Sequence, residues 1–138
     1  MNLKRGLVAM LGAFVVLTAS DFVIHHVWLR EVYRASAAWW RPAAEMKSLM
    51  NFMFASEAVL AVLLTVVYAK GYEAGKGTTG QGFRFGVLMG LLLMLPPTLM
   101  KHFVYPYPVS LLLNWFLGGV VQMVLAGLVI GVLYQPEK

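Results

Sequence analysis

Four long apolar stretches, separated by short polar ones, organise the chain. Residues 7–24 carry one charge, Asp21, and residues 49–69 carry one, Glu57. Residues 85–104 carry Lys101 with His102 beside it, and residues 109–134 carry no charge. A bilayer core of about 30 Å takes about 20 residues of helix, so each stretch is long enough, or nearly so, to cross it. His25 to Trp28 complete the first. The pattern predicts four helical spans over about residues 6–28, 48–70, 84–105 and 108–134, in one domain covering 1–138. Lys4 and Arg5 ahead of an apolar run, with Thr18, Ala19 and Ser20 further on, have the outline of a secretory signal. The reading adopted is a retained first span.

The connections differ in kind. Residues 29–48 place four basic and two acidic residues around Trp39 and Trp40. Tryptophan favours the headgroup level, so an amphipathic, interfacial segment is expected there. Pro42 suits the start of the second spanning helix, where its missing N–H costs nothing. Residues 70–82 hold Gly71, Gly75, Gly77, Gly80 and Gly82, the composition of a flexible, solvated loop. Tyr105-Pro106-Tyr107-Pro108 makes a tight, stiff turn. The fold class these links predict is all-α: an integral-membrane, up-down-up-down four-helix bundle with both termini on one side. Lys4, Arg5, Lys70, Lys76, Arg84 and Lys138 fall on that side, and Arg30, Arg34, Arg41, Lys47 and Lys101 on the other. Lys4 and Arg5, ahead of the first span, place the N- and C-termini in the cytoplasm.

Composition removes whole classes of function. Of 138 residues, 60% are hydrophobic and 12% charged, with mean hydropathy +0.74, which excludes an ordinary water-soluble domain. Cysteine is absent, so disulfides, thiolate metal sites and cysteine nucleophiles are excluded together. The net charge of +5 is scattered rather than clustered, which suits anionic lipid headgroups and not nucleic acid. No GxSxG, HExxH, P-loop or Rossmann fingerprint occurs, so no catalytic residues are assigned and an enzyme is not expected.

Two motifs bear on packing. Gly82, Gly86 and Gly90 recur every fourth residue, and Gly119, Gly127 and Gly131 share one face of the last stretch. Small residues let helices in lipid approach closely, so the third and fourth helices are expected to pack through these faces. The alternative use of the same faces is a homo-oligomer interface. Pro96 and Pro97 remove two backbone donors inside the third stretch and predict a kink or hinge.

The polar residues inside the spans point to a site. At ~1.5 Å per residue, Asp21 lies ~10 Å, Glu57 ~13 Å, Lys101 and His102 ~5 Å and Asn114 ~9 Å inside the face that carries Trp39 and Trp40. Thr18, Asp21, His25 and Trp28 form one helical stripe, and Met46, Met50, Met53 and Glu57 another. Ionisable residues in a bilayer normally face the bundle interior. Asp21, His25, Glu57, Lys101, His102 and Asn114 are therefore expected to share one polar cavity that binds or conducts a small ion, proton or solute. The simpler readings are an Asp21–His25 pair one turn apart, a snorkelling Lys101 and a methionine stripe used for packing. Glu57 is the hardest to explain in those terms. His25, His102, Asp21 and Glu57 offer an N/O set for zinc or manganese, and the methionines would shift it toward copper(I). Haem b between His25 or His26 and His102 is the other cofactor these side chains allow. The competing function is a structural or accessory subunit of a larger membrane complex, or a homo-oligomeric scaffold, with the polar cluster as a clamp that fixes register.

An apolar first helix ending in Asp and His, then Trp40-Arg41-Pro42 with Glu45-Met46, a glycine-rich loop, the Tyr105-Pro106-Tyr107-Pro108 turn and Trp115 early in the last helix form a distinctive layout. It resembles small bacterial four-helix inner-membrane proteins with no assigned function. The resemblance implies a four-helix fold in the bacterial inner membrane; it implies no activity and no site residues.

Overall fold

The computed structural model describes residues 2–135, and every regular element among them is helical, with no strand. Helix α1 covers Leu3–Phe22. The Asn2 side chain caps it, accepting from the Arg5 N–H at 3.2 Å and satisfying one first-turn donor. At its far end the helix widens into a π turn, Val23–Trp28, closed by the Leu29 N–H donating to the Ile24 carbonyl at 2.9 Å. Residues 29–48 form three short pieces: α2 (Arg30–Ala35), a 3-10 turn (Ala37–Trp39) and α3 (Ala43–Ser48). Helices α4 (Met50–Lys70), α5 (Thr78–Val104) and α6 (Val109–Leu133) follow.

Several boundaries differ from the sequence expectation. Pro42 precedes the short α3, and a break at Leu49 separates α3 from the long α4. Helix α5 begins at Thr78, well before residue 84, because Gly77 caps it and Gly80 and Gly82 continue it. The remaining glycine-rich loop is tied down by Gln81. Its amide oxygen accepts from the Glu73 N–H at 2.9 Å, and its amide nitrogen donates to the Glu73 and Lys76 carbonyls at 2.9 and 3.1 Å. Lys76 also pairs with the exposed Glu73; that hydrogen bond and the lysine's charge hold the carboxyl below its ordinary value. Helix α5 runs without interruption through Pro96 and Pro97.

Four helices are long and apolar enough to cross a membrane: Leu3–Trp28, Met50–Lys70, Thr78–Val104 and Val109–Leu133. Their outward faces are covered with large apolar side chains such as Leu11, Val15, Leu88, Leu92 and Leu99, and Phe103 is 84% exposed. A water-soluble monomer does not carry continuous apolar surface of this kind.

Helix α6 is the centre of the packing. Helix α5 packs along it, α1 packs on another side of it, and α4 packs chiefly on α1. The α5–α6 contact is backbone against backbone. A Cβ at Gly82 would strike the Gly127 carbonyl, one at Gly86 the Met123 carbonyl and the Val124 Cα, and one at Gly131 the Thr78 carbonyl. At Gly90 the approach is looser, with the Val120 Cα at 3.0 Å from such a Cβ. Helices α1 and α6 run antiparallel, since Gly12 meets Leu133 and Val129 whereas Ile24 and Trp28 meet Gly118. Their core joins Ala9, Ala13 and Leu17 to Met123, Ala126 and Ile130, with Ala61, Leu64 and Tyr68 from α4. Gln122 donates to the Leu17 carbonyl at 3.0 Å and pins α6 to α1.

Helix α4 is gathered into the bundle at one end and leaves it at the other. Tyr68, Tyr72, Phe85 and Tyr134 interlock edge to face, with Tyr68 and Phe85 at 5.3 Å and Tyr72 and Tyr134 at 5.9 Å. Beyond that cluster α4 and α5 scarcely touch. The buried residues of α4 (Ala61, Leu64, Thr65 and Tyr68) all lie in its later turns, while α3 and the first turns of α4 are exposed. The glycine contact carries a direct prediction. Gly86→Ala forces the α5 and α6 backbones apart and lowers stability by about 1–3 kcal/mol, the range for overpacking a filled contact. Gly80→Ala, where a Cβ meets nothing within 4 Å, leaves the unfolding midpoint in detergent unchanged or raised. Equal midpoints for the two variants would contradict the backbone contact.

Candidate functional site

The π turn at the end of α1 determines which of two adjacent histidines turns inward. His26 is exposed and stacks on Phe22 at 5.0 Å with an interplanar angle of 11°. His25 faces the helices, and both ring nitrogens have partners. Its Nε2 lies 3.4 Å from Asp21 Oδ1, one turn back, and its Nδ1 lies 2.5 Å from the Tyr33 hydroxyl, which α2 supplies. The same hydroxyl accepts from Trp115 Nε1 of α6 at 2.7 Å. The Lys101 ammonium of α5 sits over the Trp115 ring, 4.9 Å from its centroid.

The hydrogens in this chain follow from donor inventory. Indole N–H only donates, so the Tyr33 oxygen accepts there, and the tyrosine proton is free to go to His25 Nδ1. Neutral His25 then carries its own hydrogen on Nε2, directed at Asp21. Tyr33 holds its proton firmly: burial raises its phenol above the ordinary value, and the nearby Asp21 charge adds to this, against the opposing pull of the Trp115 hydrogen bond.

Aromatic packing keeps Tyr33 in place. Trp40 lies 5.5 Å from Tyr33 and 6.0 Å from Trp115, and Tyr107 contacts both Trp40 and Trp115 at 6.1 and 5.6 Å. Trp40 is itself oriented by donating to Ser36 Oγ at 3.0 Å. The segment holding Trp39 and Trp40 thus forms one wall of the site. Beneath it is a cleft of about 240 Å³ lined by Ile24, His25, Met94, Lys101, Trp115, Gly119 and Gln122.

The remaining candidates are dispersed. Glu57 is half-buried on α4; its Oε2 and the Thr18 Oγ1 on α1 are enclosed with no hydrogen-bond partner. Asn114 is half-buried on α6, outside the cleft lining. His102 is exposed on α5 and also stays out of the cleft. Among the described residues no three His, Asp or Glu side chains stand close enough to hold a metal ion. The set His25, His102, Asp21 and Glu57 is therefore not assembled as one centre, because α5 turns His102 outward. For haem, His25 has both nitrogens engaged and His26 is stacked on Phe22.

Tyr33 and Gln122 are residues that sequence reasoning missed, as is Trp115, which it noted only for its place early in the last helix. Tyr33 lies in a segment read only as interfacial, and nothing in its spacing from His25 signals a contact across a π turn. Gln122 had a usable signal as a polar side chain deep in the charge-free last stretch. No protein-family model, no curated protein and no solved structure matches this chain, so the chemistry of the site is the guide to its use.

Tyr33→Phe tests the centre of the network. It strands Trp115 Nε1–H and His25 Nδ1, and unfolding stability falls by about 1–3 kcal/mol, the cost of unmet buried polar groups. The pH dependence follows from the raised phenol. Tyr33 contributes in full below pH 10, the ordinary phenol value, and the contribution fades as pH rises through the higher folded value. Alkaline unfolding of the wild type should therefore show a component that Tyr33→Phe lacks.

Proposed function

We propose that this is a multi-pass membrane protein of the bacterial inner membrane, an up-down-up-down bundle with both termini in the cytoplasm, that takes up a small ion, above all the proton, at the polar site near Trp39 and Trp40. The observation that carries this reading is the continuous chain Asp21–His25–Tyr33–Trp115. A histidine held between a carboxylate and a phenol can receive a proton on one ring nitrogen and release one from the other. Carboxylates and histidines inside membrane helices are the usual material of proton and ion pathways. In this reading Glu57 is the inner proton acceptor, Asp21 and His25 pass the proton outward, and Tyr33 connects the site to the interfacial segment.

The structural alternative uses the same side chains as a clamp that fixes how α1, α2 and α6 dock. Its supporting observation is the Gln122–Leu17 hydrogen bond, which joins helices with no titratable group involved. One experiment separates the two. The full chain is reconstituted into vesicles containing a pH-sensitive dye, and proton uptake is followed after a potential is imposed. On the proton-handling reading, Glu57→Gln and His25→Ala reduce uptake to that of protein-free vesicles while helicity and monodispersity persist. Wild-type uptake no faster than that of empty vesicles, with both variants losing stability, would transfer the role to the clamp.

A further inference from the structure

The cleft beside the relay contains a cation that no carboxylate among the described residues neutralises. On the same side of the molecule Arg34 is paired with Glu31 and Arg41 with Glu45. Lys101 has no carboxylate within ion-pair distance among the described residues; its ammonium rests on the Trp115 ring. A ring face attracts an ammonium without cancelling its charge, and an anion can approach from the open side. The remaining lining is mixed. Ile24, Met94 and Gly119 are apolar lining, the Gln122 amide nitrogen is committed to the Leu17 carbonyl, and both His25 ring nitrogens are committed to Tyr33 and Asp21. The site therefore offers one unmatched positive charge above an apolar surface.

Size and position narrow the ligand. About 240 Å³ is below the range of about 300–1,000 Å³ typical of pockets that enclose a whole drug-sized molecule, so only part of a larger ligand fits. Lys101 is three residues from the end of α5, ~5 Å along the helix axis, which is headgroup depth if α5 crosses a bilayer. On the face of α5 that carries Lys101, Pro97 and Val104, four residues before it and three after, are exposed, giving an apolar track on which hydrocarbon can lie. Lysine binds phosphate as a point charge, without the planar geometry that arginine imposes on a carboxylate.

We propose that this cleft is a binding site for the phosphate headgroup of an anionic phospholipid, with Lys101 as its charge partner, Trp115 as the wall that positions Lys101, and the acyl chains outside along α5. It shares the membrane setting of the proton-handling reading but not its proton: the site stands even if no proton crosses.

The test uses the purified full chain in a neutral detergent, titrated with short-chain phosphatidylglycerol and read by native mass spectrometry. One lipid per chain is expected to bind saturably. Lys101→Gln should weaken binding about five- to tenfold, the effect of removing one basic residue near a charged membrane surface. Lys101→Arg should bind as the wild type does. Lys47→Gln, which removes another exposed lysine from the same side of the chain, should change nothing; an equal loss there would show diffuse charge attraction and overturn the site. Phosphatidylcholine of the same chain length competing equally, or a fatty acid doing so, would overturn the anionic phosphate. Inorganic phosphate alone binding with the same dependence on Lys101 would overturn the lipid and make a soluble phosphate the ligand. A measurement on the wild type keeps the proposal open to refutation if Lys101→Gln fails to fold: phosphatidylglycerol should shield Lys101 from an amine-acetylating reagent, and unchanged labelling would overturn it.

Discussion

The approach of α5 and α6 to backbone contact at Gly82, Gly86, Gly127 and Gly131 decides where every other helix can go. With no side chains between them, these two helices form a thin pair, and α6 keeps its other faces free for α1 and α4. A second set of small residues continues the effect. Gly118 lies against Ile24 and Trp28, 3.2 and 3.4 Å from where a Cβ would be, which admits the π turn of α1 to the surface of α6. The close contact does not run the full length of α5. It loosens at Gly90 and gives way to the Met94 side chain lying over Gly119, and there the cleft begins. The site occupies the region where the glycine ridge ends and the helices part.

Polar side chains then hold this end together. Two side-chain hydrogen bonds join parts of the chain far apart in sequence there: Gln122 to the Leu17 carbonyl and Trp115 to Tyr33. Such bonds are strong in a low-dielectric setting and costly when left half-made, which makes them specific as well as stabilising. Tyr33 has a single hydrogen to give and two neighbours to satisfy, and the order Trp115 to Tyr33 to His25 meets both. A phenol keeps its proton throughout the neutral range, and burial that raises it extends that order toward alkaline pH.

Much of the fold was readable because membrane-length helices leave a coarse mark. Apolar runs about 20 residues long, interrupted by prolines, glycines and charges, locate the four long helices to within a few residues. The exception is the start of α5, where glycines taken for loop continue the helix from Thr78. The glycine faces were readable for the same reason: a four-residue repeat is a property of one helix. The site was readable only in part. Asp21 and His25 share a helical stripe, so their pairing follows from spacing. The turn of His102 away from the cleft and the reach of Tyr33 into it depend on how whole helices are rotated and on a local π turn. Neither property is periodic in the sequence, so no spacing argument could have placed them.

Trp115 lies between the two proposed activities and keeps them chemically separate. Its N–H edge serves Tyr33 and through it His25, whereas its ring face carries Lys101. A group that draws Lys101 off the ring leaves the indole N–H bond intact, so the hydrogen-bonded chain does not need Lys101 in order to stay connected.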